Sequence, residues 1–81
     1  MDPAVTFGKV LRSMRREAGL TQEQLTLSAN VERNFVSLME RGINQPTIRV
    51  MFKLARALDV LPSSIIRRVE QSLDESATPK L

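Results

Sequence analysis

The 81-residue sequence contains no cysteine and no histidine, which removes disulfides, thiol nucleophiles, imidazole bases and the usual zinc ligands. No metal site and no cofactor is expected. Paired carboxylates are the remaining catalytic route, but Glu17, Glu23, Glu32 and Glu40 each fall in a helical pattern that accounts for them without catalysis. The sequence is therefore not expected to encode an enzyme. No apolar run approaches the length that spans a bilayer, and Met1-Asp2-Pro3-Ala4 lacks a basic segment ahead of an apolar one. A cytoplasmic protein without a membrane partner is the expectation. With only 3 Gly and 4 Pro beside 42% hydrophobic residues, the composition is that of a folded helical domain and not of a disordered segment. The length leaves room for one core.

Charge is informative in its placement. The formal net charge is +3, but from Val5 to Arg56 nine Lys and Arg stand against four Glu, whereas from Ala57 to Leu81 three stand against four acidic residues. A basic partner surface thus belongs to the first two thirds. Scattered cations on helices are also what a solvated face looks like, so charge alone does not name the partner.

Local signals predict five short helices and no strand, an all-α fold. Asp2-Pro3 opens the first, in which Phe7, Val10, Leu11, Met14 and Ala18 recur at helical spacing and Gly19 supplies the stop. Thr21 and Gln24 form a capping box, flanked by Leu20 and Leu25 as a hydrophobic staple, that starts a second helix running to about Ser28. Asn30 is the residue best suited to a left-handed turn. A third helix is expected over 33–41, with Val36 and Met39 inward and Gly42 as its stop, Glu32 being a weak cap. Thr47 caps a fourth, expected to bury Ile48, Met51, Phe52, Leu54, Ala55 and Leu58. Pro62 opens a fifth with the stripe Ile65, Ile66, Val69, Leu73. The domain is expected to span 3–73, followed by a flexible tail over 74–81.

Two short helices joined at Ala29-Asn30-Val31 match the spacing of a helix-turn-helix unit over about 21–41, the second being the recognition helix. Arg33, Asn34 and Ser37 would share one side of that helix near its start. Arg33 suits a guanine edge with two bonds, Asn34 an adenine edge, and Ser37 either; the competing reading for the first two is a solvated helix start. Phe35 and Leu38 are apolar at partly exposed positions and suit a thymine methyl.

The same residues, Leu20-Thr-Gln-Glu-Gln-Leu25, Arg33-Asn-Phe-Val-Ser37, Met39-Glu-Arg-Gly42, Pro46-Thr and Leu54-Ala-Arg-Ala-Leu58, closely resemble the Xre-like, phage-repressor-type (lambda repressor-like) helix-turn-helix family. That family includes controller proteins of restriction-modification systems and several antitoxins. The resemblance covers about Phe7 to Ile66. It implies a five-helix domain, a transcriptional regulator that binds operator DNA as a homodimer with helix 3 in the major groove. It also implies a phosphate contact for Gln22, backbone contacts for Arg41, Asn44 and Gln45, and a structural ion pair between Arg15, which the helical wheel places beside Leu11, and Glu40. Departures from the family pattern stand at Asn30, Glu32, Asp59 and Arg49.

The partner expected is double-stranded DNA, with a palindromic operator and no small-molecule ligand. Dimerisation is expected through Ile65, Ile66, Val69 and Leu73, since not all of that stripe can face inward; the alternative is that it folds back on helices 1 and 4. Rival functions on the same fold are an antitoxin that binds both a toxin and DNA, and a protein-interaction module without DNA.

Overall fold

In the computed structural model, which describes residues 2–77, five helices follow in order: α1 (Pro3–Glu17), α2 (Gln22–Ala29), α3 (Phe35–Glu40), α4 (Ile48–Ala57) and α5 (Pro62–Ala77). There is no strand among the described residues. Three of the helices begin where a side chain relieves the unpaired first-turn amides. Asp2 Oδ1 accepts from the Ala4 amide at 2.9 Å, Thr21 Oγ1 from Gln24 at 3.1 Å and Thr47 Oγ1 from Val50 at 3.1 Å.

The first four helices stop by the same device. A residue with positive φ turns the chain, and two backbone bonds close back on the last turn: Gly19 to Arg16 and Leu20 to Arg15, Asn30 to Leu27 and Val31 to Thr26, Gly42 to Met39 and Ile43 to Leu38, Asp59 to Arg56 and Val60 to Ala55. This is the Schellman pairing. At Asn30 (φ 54°) and Asp59 (φ 58°) it is carried without glycine, by short polar side chains that tolerate the left-handed region. At Gly42 (φ 74°) glycine is favoured on two grounds, because a Cβ would also lie 3.0 Å from the Val5 side chain.

Helix α1 packs on α3 and α5, α2 on α3 and α4, and α4 on α5. Leu11, Leu25, Val36, Met39, Leu54 and Ile65 are fully enclosed at the centre, each aliphatic side chain there stabilising the fold by about 1.5–3 kcal/mol relative to exposure. Gly8 sets how closely α1 approaches α3, since a Cβ on it would lie 2.3 Å from the Met39 carbonyl oxygen.

Four expectations are corrected. Helix α3 begins at Phe35, not at Arg33. Ile48 and Phe52 are exposed, at 76% and 59%, because α4 meets α2 and α5 along a narrower stripe of Met51, Leu54, Ala55 and Leu58. Ile65 and Val69 are core residues within the single chain, leaving Ile66 exposed and Leu73 half-buried. The helix also continues through Asp74 to Ala77, where a tail was expected; 78–81 lie outside the described residues.

Candidate nucleic-acid interface

The start of α2 is held by a capping box and by one bond to α3. Thr21 and Gln24 exchange bonds reciprocally, the Thr21 amide donating to Gln24 Oε1 at 2.8 Å. The next residue, Gln22, is exposed, yet its Nε2 donates to Glu40 Oε1 at 3.0 Å across to the end of α3. Its amide is therefore anchored at one end and free at the other.

The start of α3 differs. Phe35 donates to the Glu32 carbonyl at 2.9 Å, and Asn34 at φ −95°, ψ 0° has the backbone of the third residue of a type I turn. Arg33 and Asn34 are thus the middle of a turn that feeds the helix. No side chain caps α3, and Asn34 makes no capping bond. Arg33 and Asn34 are exposed and Ser37 is half-buried, and all three line one open groove with Gln22, Glu23, Thr26, Leu27 and Val31. The geometry brings together four of the seven polar residues expected to contact bases or the DNA backbone, Gln22, Arg33, Asn34 and Ser37. A donor-rich groove edge of this kind suits a polyanion that also presents hydrogen-bonding edges.

The expected ion pair is formed, and Gln22 of the groove is bonded to its carboxylate. Arg15 Nε donates to Glu40 Oε2 at 2.6 Å and Arg15 Nη2 to Glu40 Oε1 at 3.0 Å, with side-chain exposures of only 10% and 3%. The remaining Arg15 nitrogen, Nη1, donates to the Leu20 carbonyl at 2.8 Å. The bond to Glu40 raises the Arg15 pKa above its ordinary value, burial opposing it and the charge of Glu40 adding to it, so the guanidinium is charged at any accessible pH. A buried pair of this kind ties α1 and α3 together, and the bidentate geometry fixes their register.

Arg41, Asn44 and Gln45 follow α3, the first and last exposed and Asn44 half-buried. They do not line the groove. On α4, Arg49 and Arg56 are exposed, and with Phe52 and Lys53 they line a separate groove against Ser28, Ala29 and Asn30.

The family model HTH_3, helix-turn-helix, matches residues 11–65. The chain belongs to the helix-turn-helix family. An uncharacterised HTH-type transcriptional regulator from Sinorhizobium fredii is 31% identical over 72 residues, covering 89% of this chain and 94% of that protein. The immunity repressor protein of Bacillus phage phi105 is 32% identical over 62 residues, 76% of this chain and 43% of the repressor. Among solved structures, the restriction-modification controller protein of Aeromonas hydrophila is 37% identical with a TM-score of 0.74, covering 76% of this chain and 94% of that one. The clp gene regulator of Corynebacterium glutamicum, at 22% identity, shares the fold with a TM-score of 0.88 over 95% and 82% of the two chains.

Within this helix-turn-helix frame, sequence reasoning missed three features. Leu27, 73% exposed at the groove, is apolar two residues past Leu25, hence off the buried stripe of α2; that offset was its signal. Gly8 was legible only as a glycine inside an amphipathic helix. The bond from Gln22 to Glu40 spans eighteen residues and left no local trace.

Proposed function

We propose that this helix-turn-helix protein is a transcriptional regulator that binds double-stranded DNA sequence-specifically, with α3 and its leading turn in the major groove. The observation that carries the reading is the uncapped start of α3, which leaves Arg33 and Asn34 exposed beside Ser37 and Gln22 on one groove. Arg33 and Asn34 serve no internal side-chain bond, and Gln22 spends only one N–H on Glu40, so these groups are available to a ligand. Arg33 donates to a guanine edge, Asn34 pairs with adenine, and Ser37 meets either. Gln22 on one flank and Arg41, Asn44 and Gln45 on the other contact the phosphodiester backbone and set the register.

The protein acts as a homodimer on a palindromic operator, because one such motif covers few base pairs; half-sites are then centred about 34–36 Å apart. With Ile65 and Val69 used in the core, the dimer contact falls to the apolar residues left outside it near the α4–α5 turn, Leu61 at 68% and Ile66 at 50% exposure, with Leu73 at the edge. Ile66→Asp then gives a folded monomer by sedimentation, while Val69→Asp unfolds the domain.

Selection of bound duplexes from a random pool, followed by titration of the recovered duplex at two salt concentrations, tests the whole reading. A palindrome whose affinity falls steeply with salt is the expected result. Recovery of no preferred sequence, or salt-independent binding, overturns it.

A further inference from the structure

Glu40 does two things with one carboxylate. Its Oε2 accepts from Arg15 Nε, while its Oε1 accepts from both Arg15 Nη2 and Gln22 Nε2, each at 3.0 Å. The carboxylate is nearly enclosed, at 3% side-chain exposure, whereas Gln22 is exposed. A carboxylate is an acceptor only, so it selects the nitrogen end of the Gln22 amide and fixes an otherwise freely rotating group. One Gln22 N–H is consumed and the other is left to point away from Glu40. The same ion pair holds the chain entering α2, through Arg15 Nη1 on the Leu20 carbonyl, so the backbone that carries Gln22 and the amide of Gln22 are set by one anchor.

We infer that Glu40 is a positioning residue for DNA-backbone recognition: it orients the Gln22 amide so that its second N–H is presented to a phosphate at the start of α2. This rests on the DNA-binding reading above. Positioning of this kind raises affinity by removing the rotamer freedom that Gln22 would otherwise lose on binding. It also makes the ion pair a part of the binding apparatus in addition to a brace between α1 and α3.

A double-mutant cycle on a generic duplex of about two helical turns decides it, with fluorescence anisotropy at two salt concentrations and a thermal melt of each variant. Gln22→Ala is expected to weaken binding about fivefold, the worth of one net hydrogen bond, at both salt concentrations and without changing the salt slope, since Gln22 carries no charge. Glu40→Gln removes a negative charge next to the proposed DNA surface, so a purely structural role predicts unchanged or tighter binding by the folded protein. Positioning predicts instead a loss of similar size to that of Gln22→Ala, because the single acceptor oxygen left at residue 40 no longer serves both Arg15 and Gln22, and no further loss when the two are combined. If Glu40→Gln does not fold, Glu40→Asp takes its place, keeping the charge that Arg15 needs while withdrawing the carboxylate from Gln22. Wild-type affinity in the folded Glu40 variant, or a loss that persists undiminished in the Gln22→Ala background, overturns the inference. Failure of the unmodified protein to bind any duplex overturns the DNA-binding reading itself, and is distinguished from the former because there the wild type still binds.

Discussion

The two helices of the motif begin in opposite ways. At α2, Thr21 and Gln24 satisfy each other's backbone and Gln22 is anchored on Glu40. At α3, the turn over Glu32–Phe35 feeds the helix with no side-chain cap, and Arg33 and Asn34 are left outward. One start commits Thr21 and Gln24 wholly and Gln22 in part to the fold; the other leaves Arg33 and Asn34 without a capping role. The difference teaches that a weak helix start is no defect where the same residues must read another molecule, provided that a rigid neighbour holds the segment in place.

The comparison breaks most completely if the anchor is removed. Glu40→Ala strands the Arg15 guanidinium in a largely buried site and is expected to cost about 3–5 kcal/mol, read as a large drop in thermal midpoint. Survival of the native midpoint would mean that α1 and α3 are held by packing alone.

Next in size is the effect on binding. Arg33→Ala is expected to cost about 1–3 kcal/mol on the selected operator and to relax preference at one base pair. Its melt should stay within about 0.5 kcal/mol of the unmodified protein, as for a surface change that breaks no internal bond. Equal losses on operator and random duplex would move Arg33 from reading bases to holding the backbone.

The contrast between the two starts is sharpened by a paired substitution. Thr21→Ala removes a cap and is expected to destabilise the domain by about 1 kcal/mol, while Asn34→Ala, which removes no capping bond, leaves stability within about 0.5 kcal/mol. If urea midpoints show the two costs to be equal, Asn34 caps α3 in solution and is less free than its geometry indicates.

The smallest expected effect lies away from the motif, where Arg68 donates twice to Glu17, at 2.9 Å each, joining α5 to α1. The hydrogen bonds from Arg68 lower the Glu17 pKa, so the folded state holds the proton less tightly than the unfolded chain. Stability from this pair is therefore present above the unfolded carboxylate range and is lost as pH falls through the lowered folded value. Because Glu17 is exposed, solvent screening keeps the contribution small. Glu17→Gln should slightly flatten the acid side of a plot of thermal midpoint against pH, and a steeper acid side would reverse the sign.

What the sequence by itself determined is everything that depends on neighbours in the chain. Caps, stops and the 3.6-residue period are local, so Thr21, Thr47, Asn30 and Gly42 marked the helix ends, and the residues around the turn marked the helix-turn-helix. The family resemblance added the pairing of Arg15 with Glu40, which no local signal carries. Periodicity also nominates a face without saying how much of it is covered. Only the tertiary structure decided that α4 meets its neighbours along a stripe too narrow to include Ile48 and Phe52, and that Ile65 and Val69 are taken into the core while Ile66 is left outside. It likewise decided that α3 starts two residues late, because the competition between a turn and a first helical hydrogen bond at Arg33 and Asn34 is close when no side chain caps the end. The bond that sets Gln22 on Glu40 joins residues eighteen apart in sequence, a distance that is closed only when α2 and α3 pack.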